Sequence, residues 1–135
     1  MIQKTFQAKK KNLSVSIGKW GEEMALKYLM KKGHMLVARN YRIPGGELDL
    51  ITMNNGILVF VEVKLRQNKD FGPPEEALNY RKRQKILRTI FTYLEKENVS
   101  IQPRPVTWQL DLIAIEHKPG AGKGTIKHFQ NILVA

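Results

Sequence analysis

The chain has 135 residues, with 23 Lys and Arg against 12 Asp and Glu, a formal net charge of +11, and no cysteine. That length suits one domain whose core needs no covalent staples, and the missing cysteines exclude disulfides and thiolate-bound metals. The basic balance points to polyanionic partners, nucleic acid ahead of an anionic membrane surface; with no run of ~18 apolar residues and no apolar leader in MIQKTFQAKKKN, the expectation is a cytoplasmic protein with no membrane partner.

Residues 1–13 read as a flexible basic arm carrying Lys4, Lys9, Lys10 and Lys11, and residues 14–135 as a single domain. The spacing predicts a helix from Ser16 to Lys32, ended by Gly33, with Ile17, Trp20, Met24, Tyr28 and Leu29 on one stripe. Glu22 lies on the border of that stripe and can reach a sheet-side site, whereas Glu23 points away. A strand follows near Met35–Arg42. His34, just past the glycine, reads as a helix-exit residue.

The next two segments, GELDLIT (46–52) and ILVFVEVKL (57–65), are joined by an Asn55-Gly56 pair, the strongest short-range signal for a two-residue hairpin. That loop sets Met53 and Asn54 across from Leu58 and Ile57, which extrapolates to Asp49 opposite Glu62 and Glu47 opposite Lys64. With strict alternation all four charges share one face. Opposed carboxylates repel, and a hard divalent cation such as Mg²⁺ or Mn²⁺ would reverse that sign. The bland alternative is a buried Glu47–Lys64 ion pair, with Asp49 and Glu62 at a solvated sheet edge. The chemical alternative is a carboxylate on one strand and Glu-x-Lys on its neighbour, a layout for phosphodiester cleavage in which carboxylates hold a metal and the lysine orients water.

After QNKDFGPP (67–74) the pattern predicts a helix from about Pro74 or Asn79 to Lys96, with Ile86, Leu87, Ile90, Phe91 and Leu94 facing the core. Its opening turns carry Arg81, Lys82, Arg83, Lys85 and Arg88, a cluster suited to a phosphate backbone, to which Gln84 and Arg66 add polar contacts. Val106–Ile115 reads as an interior strand, with Asp111 expected to pair with Arg39 or Arg42 rather than to act in catalysis. PGAGKG (119–124) reads as a turn before TIKHFQNILVA. GAGKGT is no Walker loop, because Gly124 separates Lys123 from Thr125 and His117 stands where the first glycine belongs. His34, His117 and His128 lack paired ligand spacing, so a histidine zinc site is not expected.

Asp49, Glu62 and Lys64 together resemble the D…(E)-x-K pattern of the PD-(D/E)XK nuclease superfamily. The surrounding blocks are similar to the bacterial YraN family within it, which is distantly similar to archaeal Holliday junction resolvases. Those blocks are WGEEMALKYL, RNYR, GELDLI, VFVEVKLR, FGPPEEAL, YRKRQ, LDLIAI and HFQN, so the resemblance covers nearly the whole chain. It implies a restriction-endonuclease-like α/β core, a mixed central sheet flanked by helices in the order α-β-β-β-α-β-β. It also implies that Asp49, Glu62 and Lys64 are catalytic, that Asp49 and Glu62 hold metal, and that Glu22 from the first helix or Glu47 completes the shell. The chain departs from the pattern where Leu48 precedes Asp49 in place of proline, and where Gln109-Leu110-Asp111 stands for Arg-Phe-Asp.

Two functions follow as expectations. One is a Mg²⁺- or Mn²⁺-dependent endonuclease acting on DNA more than RNA, including branched or structured DNA. The other is a nucleic-acid-binding module that keeps the fold without turnover. Lys9, Lys10, Lys11 and the basic helix serve binding in both. Resolvase-like relatives cut two strands as dimers, which admits a homodimer here.

Overall fold

A computed structural model describes residues 18–66, 78–97, 107–117 and 124–133, with His117 described in its backbone only. The predicted arm at 1–13, including Lys9, Lys10 and Lys11, the loop at 67–74 and most of the glycine-rich turn lie outside those residues.

Helix α1 covers residues 18–31 of the described chain. It stops where glycine is needed: Gly33 adopts φ +95°, the Gly33 N–H donates to the Met30 carbonyl and the His34 N–H to the Leu29 carbonyl, each at 3.0 Å. That bond pair is the Schellman arrangement, which satisfies carbonyls a helix end leaves open. Five strands follow the predicted order: β1 (Met35–Ile43), β2 (Gly46–Asn54), β3 (Ile57–Arg66), then helix α2 (Tyr80–Lys96), β4 (Thr107–His117) and β5 (Gly124–Phe129). Asn79 caps α2, its side chain accepting the Lys82 N–H at 3.0 Å.

The sheet order is β1-β2-β3-β4-β5. Only β3 and β4 run parallel, because α2 lies in the connection between them. Among the described residues each face carries one helix. Ala25, Leu26 and Leu29 of α1 pack on Leu50, Val59, Val61, Ile113 and Ile115, while Ile86, Ile90 and Tyr93 of α2 pack on Leu48, Ile51, Leu58, Phe60 and Leu110. Burial on both faces is why β3 and β4 read as nearly unbroken apolar runs.

Two expected helix faces shift. In α1 the fully covered residues are Ala25, Leu26 and Leu29, with Trp20, Met24 and Tyr28 flanking them. In α2, Thr89 and Tyr93 are buried, whereas Phe91 is 56% exposed and meets Trp108 edge-on at its rim. Tyr93 displaces Phe91 because it sits edge-on to both Tyr41 and Phe60. Among the described residues no helix is long and apolar enough to cross a membrane.

Candidate active site between diverging strands

The β2–β3 hairpin turns through Asn55 at φ +50° and Gly56 at φ +76°, the two left-handed residues of a type I′ turn. Met53 pairs with Leu58 and Asn54 with Ile57, and the ladder continues to Leu50 opposite Val61. There it ends. Asp49 turns its carboxylate into the ladder, where Oδ2 accepts the Val63 N–H at 2.8 Å.

Strict alternation fails at the same residue. Leu48 and Ile51, three apart, pack in the same core layer, as do Ala38 and Tyr41 of β1. Arg39 pairs with Leu50 and Tyr41 with Leu48, which sets Asn40, at φ +50°, opposite Asp49. Asn tolerates the left-handed region better than most residues, and the irregularity lets β2 swing away from β3. The four charges therefore do not simply share one face.

Glu62 and Lys64 follow Phe60 on the α2 side of β3. They line a cleft of about 600 Å³ together with Arg42, Glu47, Lys82 and Lys85. The Lys64 Nζ lies 4.0 Å from Glu62 Oε1. Gly46 lets β2 approach α2 closely, since a Cβ there would run into Thr89 Oγ1 and crowd the Lys85 carbonyl. Arg88 donates to the Gly45 carbonyl at 3.0 Å, tying α2 to the β1–β2 turn.

The electrostatics single out one pair. Desolvation pushes Glu62 up to about 8, reinforced by Asp49, with Lys64 opposing. Desolvation raises Asp49 to about 6 against the Val63 hydrogen bond, and the charges of Glu22 and Glu47 add to the rise. Two carboxyls raised by burial and by neighbouring carboxylates are what a shared site looks like before a counter-charge is supplied. On α2, the adjoining Lys64 ammonium holds Lys82 below the ordinary lysine range.

Of the remaining predicted ligands, Glu47 lines the same cleft and Glu22 lies outside it. Glu47 pairs with Arg42 across β1–β2 at 3.4 Å, not with Lys64, because β2 leaves β3 before that register is reached; both partners are largely exposed, so the contact contributes little. Glu22 lines a separate cavity of about 480 Å³ with Lys19, Asn40 and Arg42 and acts on Asp49 alone of the pair. Glu23 bonds Arg39. Among the described residues no three His, Cys, Asp or Glu side chains converge to hold a metal. The desolvated donors are thus Asp49 and Glu62, with the exposed Glu47 on the cleft wall held by Arg42, a set that fits Mg²⁺ or Mn²⁺: such ions commonly take one or two carboxylates and complete their shell with water and substrate phosphate.

Arg81, Lys82, Arg83, Gln84, Lys85 and Arg88 are all exposed on α2, and its first turn holds no acidic residue. Arg66 ends β3 opposite Glu116.

One buried network escaped the sequence reading. Asp111, 1% exposed, accepts from Gln109 Nε2 at 2.8 Å, His128 Nε2 at 2.7 Å and the Asn131 N–H at 2.9 Å. It pairs with neither Arg39 nor Arg42, which serve Glu23 and Glu47. Burial pushes its carboxyl up, but bonds from His128, Asn131 and Gln109 hold it below the usual range. His34 is likewise no mere helix-exit residue: it is buried, with Nδ1 2.8 Å from Thr52 Oγ1. The signal was present as a lone Asp in an apolar strand and as His128 and Asn131 three apart, but joining them needs the β4–β5 register.

A mixed five-stranded sheet between two helices, in the order α-β-β-β-α-β-β, defines a restriction-endonuclease-like α/β core. Within that class the chain belongs to the UPF0102 family, the YraN family of the motif blocks: the family model described as "Uncharacterised protein family UPF0102" matches residues 21–115. A UPF0102 protein of Carboxydothermus hydrogenoformans is 38% identical over 116 residues, 85% of this chain and 92% of its own. One of Syntrophotalea carbinolica is 39% identical over 112 residues, covering 79% and 91%, and one of Alkaliphilus oremlandii 37% over 119, covering 88% and 98%.

Proposed function

We propose that this protein is a divalent-metal-dependent endonuclease that hydrolyses phosphodiester bonds of DNA, including branched DNA, in the cytoplasm. The observation that carries the reading is the cleft in which Glu62 and Lys64 lie 4.0 Å apart under a cationic helix, with Asp49 beside them; burial raises both carboxyls, and the Asp49 charge raises Glu62 further. Asp49 and Glu62 would hold Mg²⁺ or Mn²⁺, which when bound polarises a phosphoryl oxygen and lowers the pKa of water. Lys64 orients the attacking water and offsets charge that develops on the phosphate oxygens. Lys82 and Lys85 line the same cleft and hold the phosphate in place, while Arg81, Arg83, Gln84 and Arg88 follow the backbone outward. Cutting both strands of a junction requires two such sites, which a homodimer would supply.

A second reading, a nucleic-acid-binding module without turnover, draws on the absence of a third converging ligand among the described residues. The two separate on incubation of the full chain with a four-way junction, a duplex and a single strand, in Mg²⁺, Mn²⁺ or chelator. Metal-dependent products lost in Glu62→Gln support the endonuclease. Salt-sensitive binding with no products in any metal supports the module.

A further inference from the structure

A second polar cavity lies on the other face and at the other end of the sheet, where α1 ends and the β2–β3 hairpin turns. It measures about 390 Å³, within the size range of small-molecule sites. Ile57 and the nearly buried Val59 line it together with Asn54, Asn55, Gln109 and Gln130. Lys32 stands at the edge, its ammonium over the Tyr28 ring at 4.7 Å.

His34 brings one open ring nitrogen to this wall. Its Nδ1 is taken by Thr52, and no other hydrogen bond of its ring is found among the described residues. Yet no buried side-chain nitrogen or oxygen there lacks a partner, so Nε2 has access to the cavity that His34 lines. Desolvation lowers the His34 pKa, helped by His128 and Lys32 against Asp111, so the ring is neutral at neutral pH and presents a neutral hydrogen-bonding edge. The one carboxylate, Asp111, already has three donors on its two oxygens, and no metal-holding set forms here among the described residues. A cation therefore finds no open ligand set. What remains is a slot of mixed lining, with apolar Ile57 and Val59, amide and imidazole groups that both donate and accept, and the Lys32 ammonium.

We propose that this cavity binds a nucleotide, the flat heterocyclic base lying on Ile57 and Val59 with its polar edge against His34, Gln109 and Gln130, and the phosphate reaching Lys32. The base comes either from a free mononucleotide or from an unpaired nucleotide of a nucleic acid chain. Neither source depends on cleavage at Glu62.

The test follows the His34 ring nitrogens and the backbone amides of the full chain by NMR, without divalent metal, during titration with the four 5′-mononucleotides, their nucleosides, ribose 5-phosphate, a single-stranded oligonucleotide and a blunt duplex. The expected result is a saturable shift of His34 Nε2 with at least one mononucleotide and none with ribose 5-phosphate. Lys32→Ala should weaken that mononucleotide by about fivefold, the scale of one exposed ion pair, without affecting its nucleoside. Gln130→Leu, at an exposed residue, should weaken both, and Glu62→Gln neither. Tighter binding of the single strand than of any mononucleotide, with no response to duplex, identifies the unpaired nucleotide as the source; the reverse identifies the free one. Equal shifts with ribose 5-phosphate, shifts confined to the α2 cations, or no saturable shift in the millimolar range would overturn the assignment.

Discussion

Asp49 stands in for a backbone carbonyl in the β2–β3 ladder, its Oδ2 accepting the Val63 N–H at 2.8 Å just where the two strands part. The same carboxylate thereby closes the sheet and opens the cleft. Asn at this position can still accept that N–H, whereas Ala cannot. Urea denaturation without metal should find Asp49→Asn at least as stable as the native chain and Asp49→Ala less stable than Asp49→Asn by roughly 1–3 kcal/mol, the cost of an unmet buried donor. Equal stability of the two variants would show that the bond does not hold the strands.

The raised carboxyls give a pH signature with a definite sign. Asp49 and Glu62 rise from ordinary values of 3.8 and 4.5 to about 6 and about 8. Between those limits the folded chain binds more protons than the unfolded one, so this contribution is full below about pH 4 and is lost as pH rises through 6 to 8. Asp111 and His34, both lowered, act in the opposite sense on the acid side. The informative comparison is therefore between native chain and Glu62→Gln. Metal-free melting curves should show the variant gaining on the native chain from about pH 5 to about pH 8, and Mn²⁺ should raise the native melting temperature most at the upper end. A Mn²⁺ shift that persists undiminished in Glu62→Gln would place the metal elsewhere.

Close approach of β2 to α2 depends on Gly46, whose Cβ position is filled by Thr89 Oγ1 and bordered by the Lys85 carbonyl at 3.4 Å. Gly46→Ala should cost roughly 1–3 kcal/mol, as overpacking does. Adding Thr89→Ala should recover part of that loss, because it removes the nearest obstacle. Calorimetry of the two variants checks this, and an unchanged melting temperature for Gly46→Ala would mean the helix sits further from the strand.

Much of this was legible along the chain, for physical reasons that differ by element. Local chemistry gave the hairpin: Asn55-Gly56 dictates the turn, and the turn dictates the pairing of Met53 with Leu58. Gly33 dictated the end of α1 in the same way. The Glu47–Lys64 pairing fails because a period-two extrapolation cannot see Asn40 and Asp49 breaking the alternation together. Periodicity ranks Phe91 with Leu94 on the inner face, while Tyr93 wins the site through contacts with Tyr41 and Phe60 on distant strands. The partners of Asp111 are not legible in the sequence because His128 and Asn131 reach it only across the β4–β5 pairing.

That last network should govern stability, not chemistry. His128→Ala leaves a buried carboxylate short of a donor and should cost roughly 1–3 kcal/mol or more, with the loss largest above the lowered Asp111 pKa, where the carboxylate is charged. Chemical denaturation at several pH values measures it. Native stability with loss of cleavage would instead assign His128 to the reaction.

The central claim is that Asp49, Glu62 and Lys64 form a metal-dependent hydrolytic site. Its most direct test is nicking of supercoiled plasmid by the purified chain in Mn²⁺, with Lys64→Ala and Glu62→Gln in parallel and folding verified by circular dichroism. Native protein should convert supercoiled to open circles only with divalent metal, and both variants should fall by about 100-fold or more, the scale of lost transition-state groups. Nicking that survives in both folded variants, or is absent from native protein in every divalent metal, would contradict it.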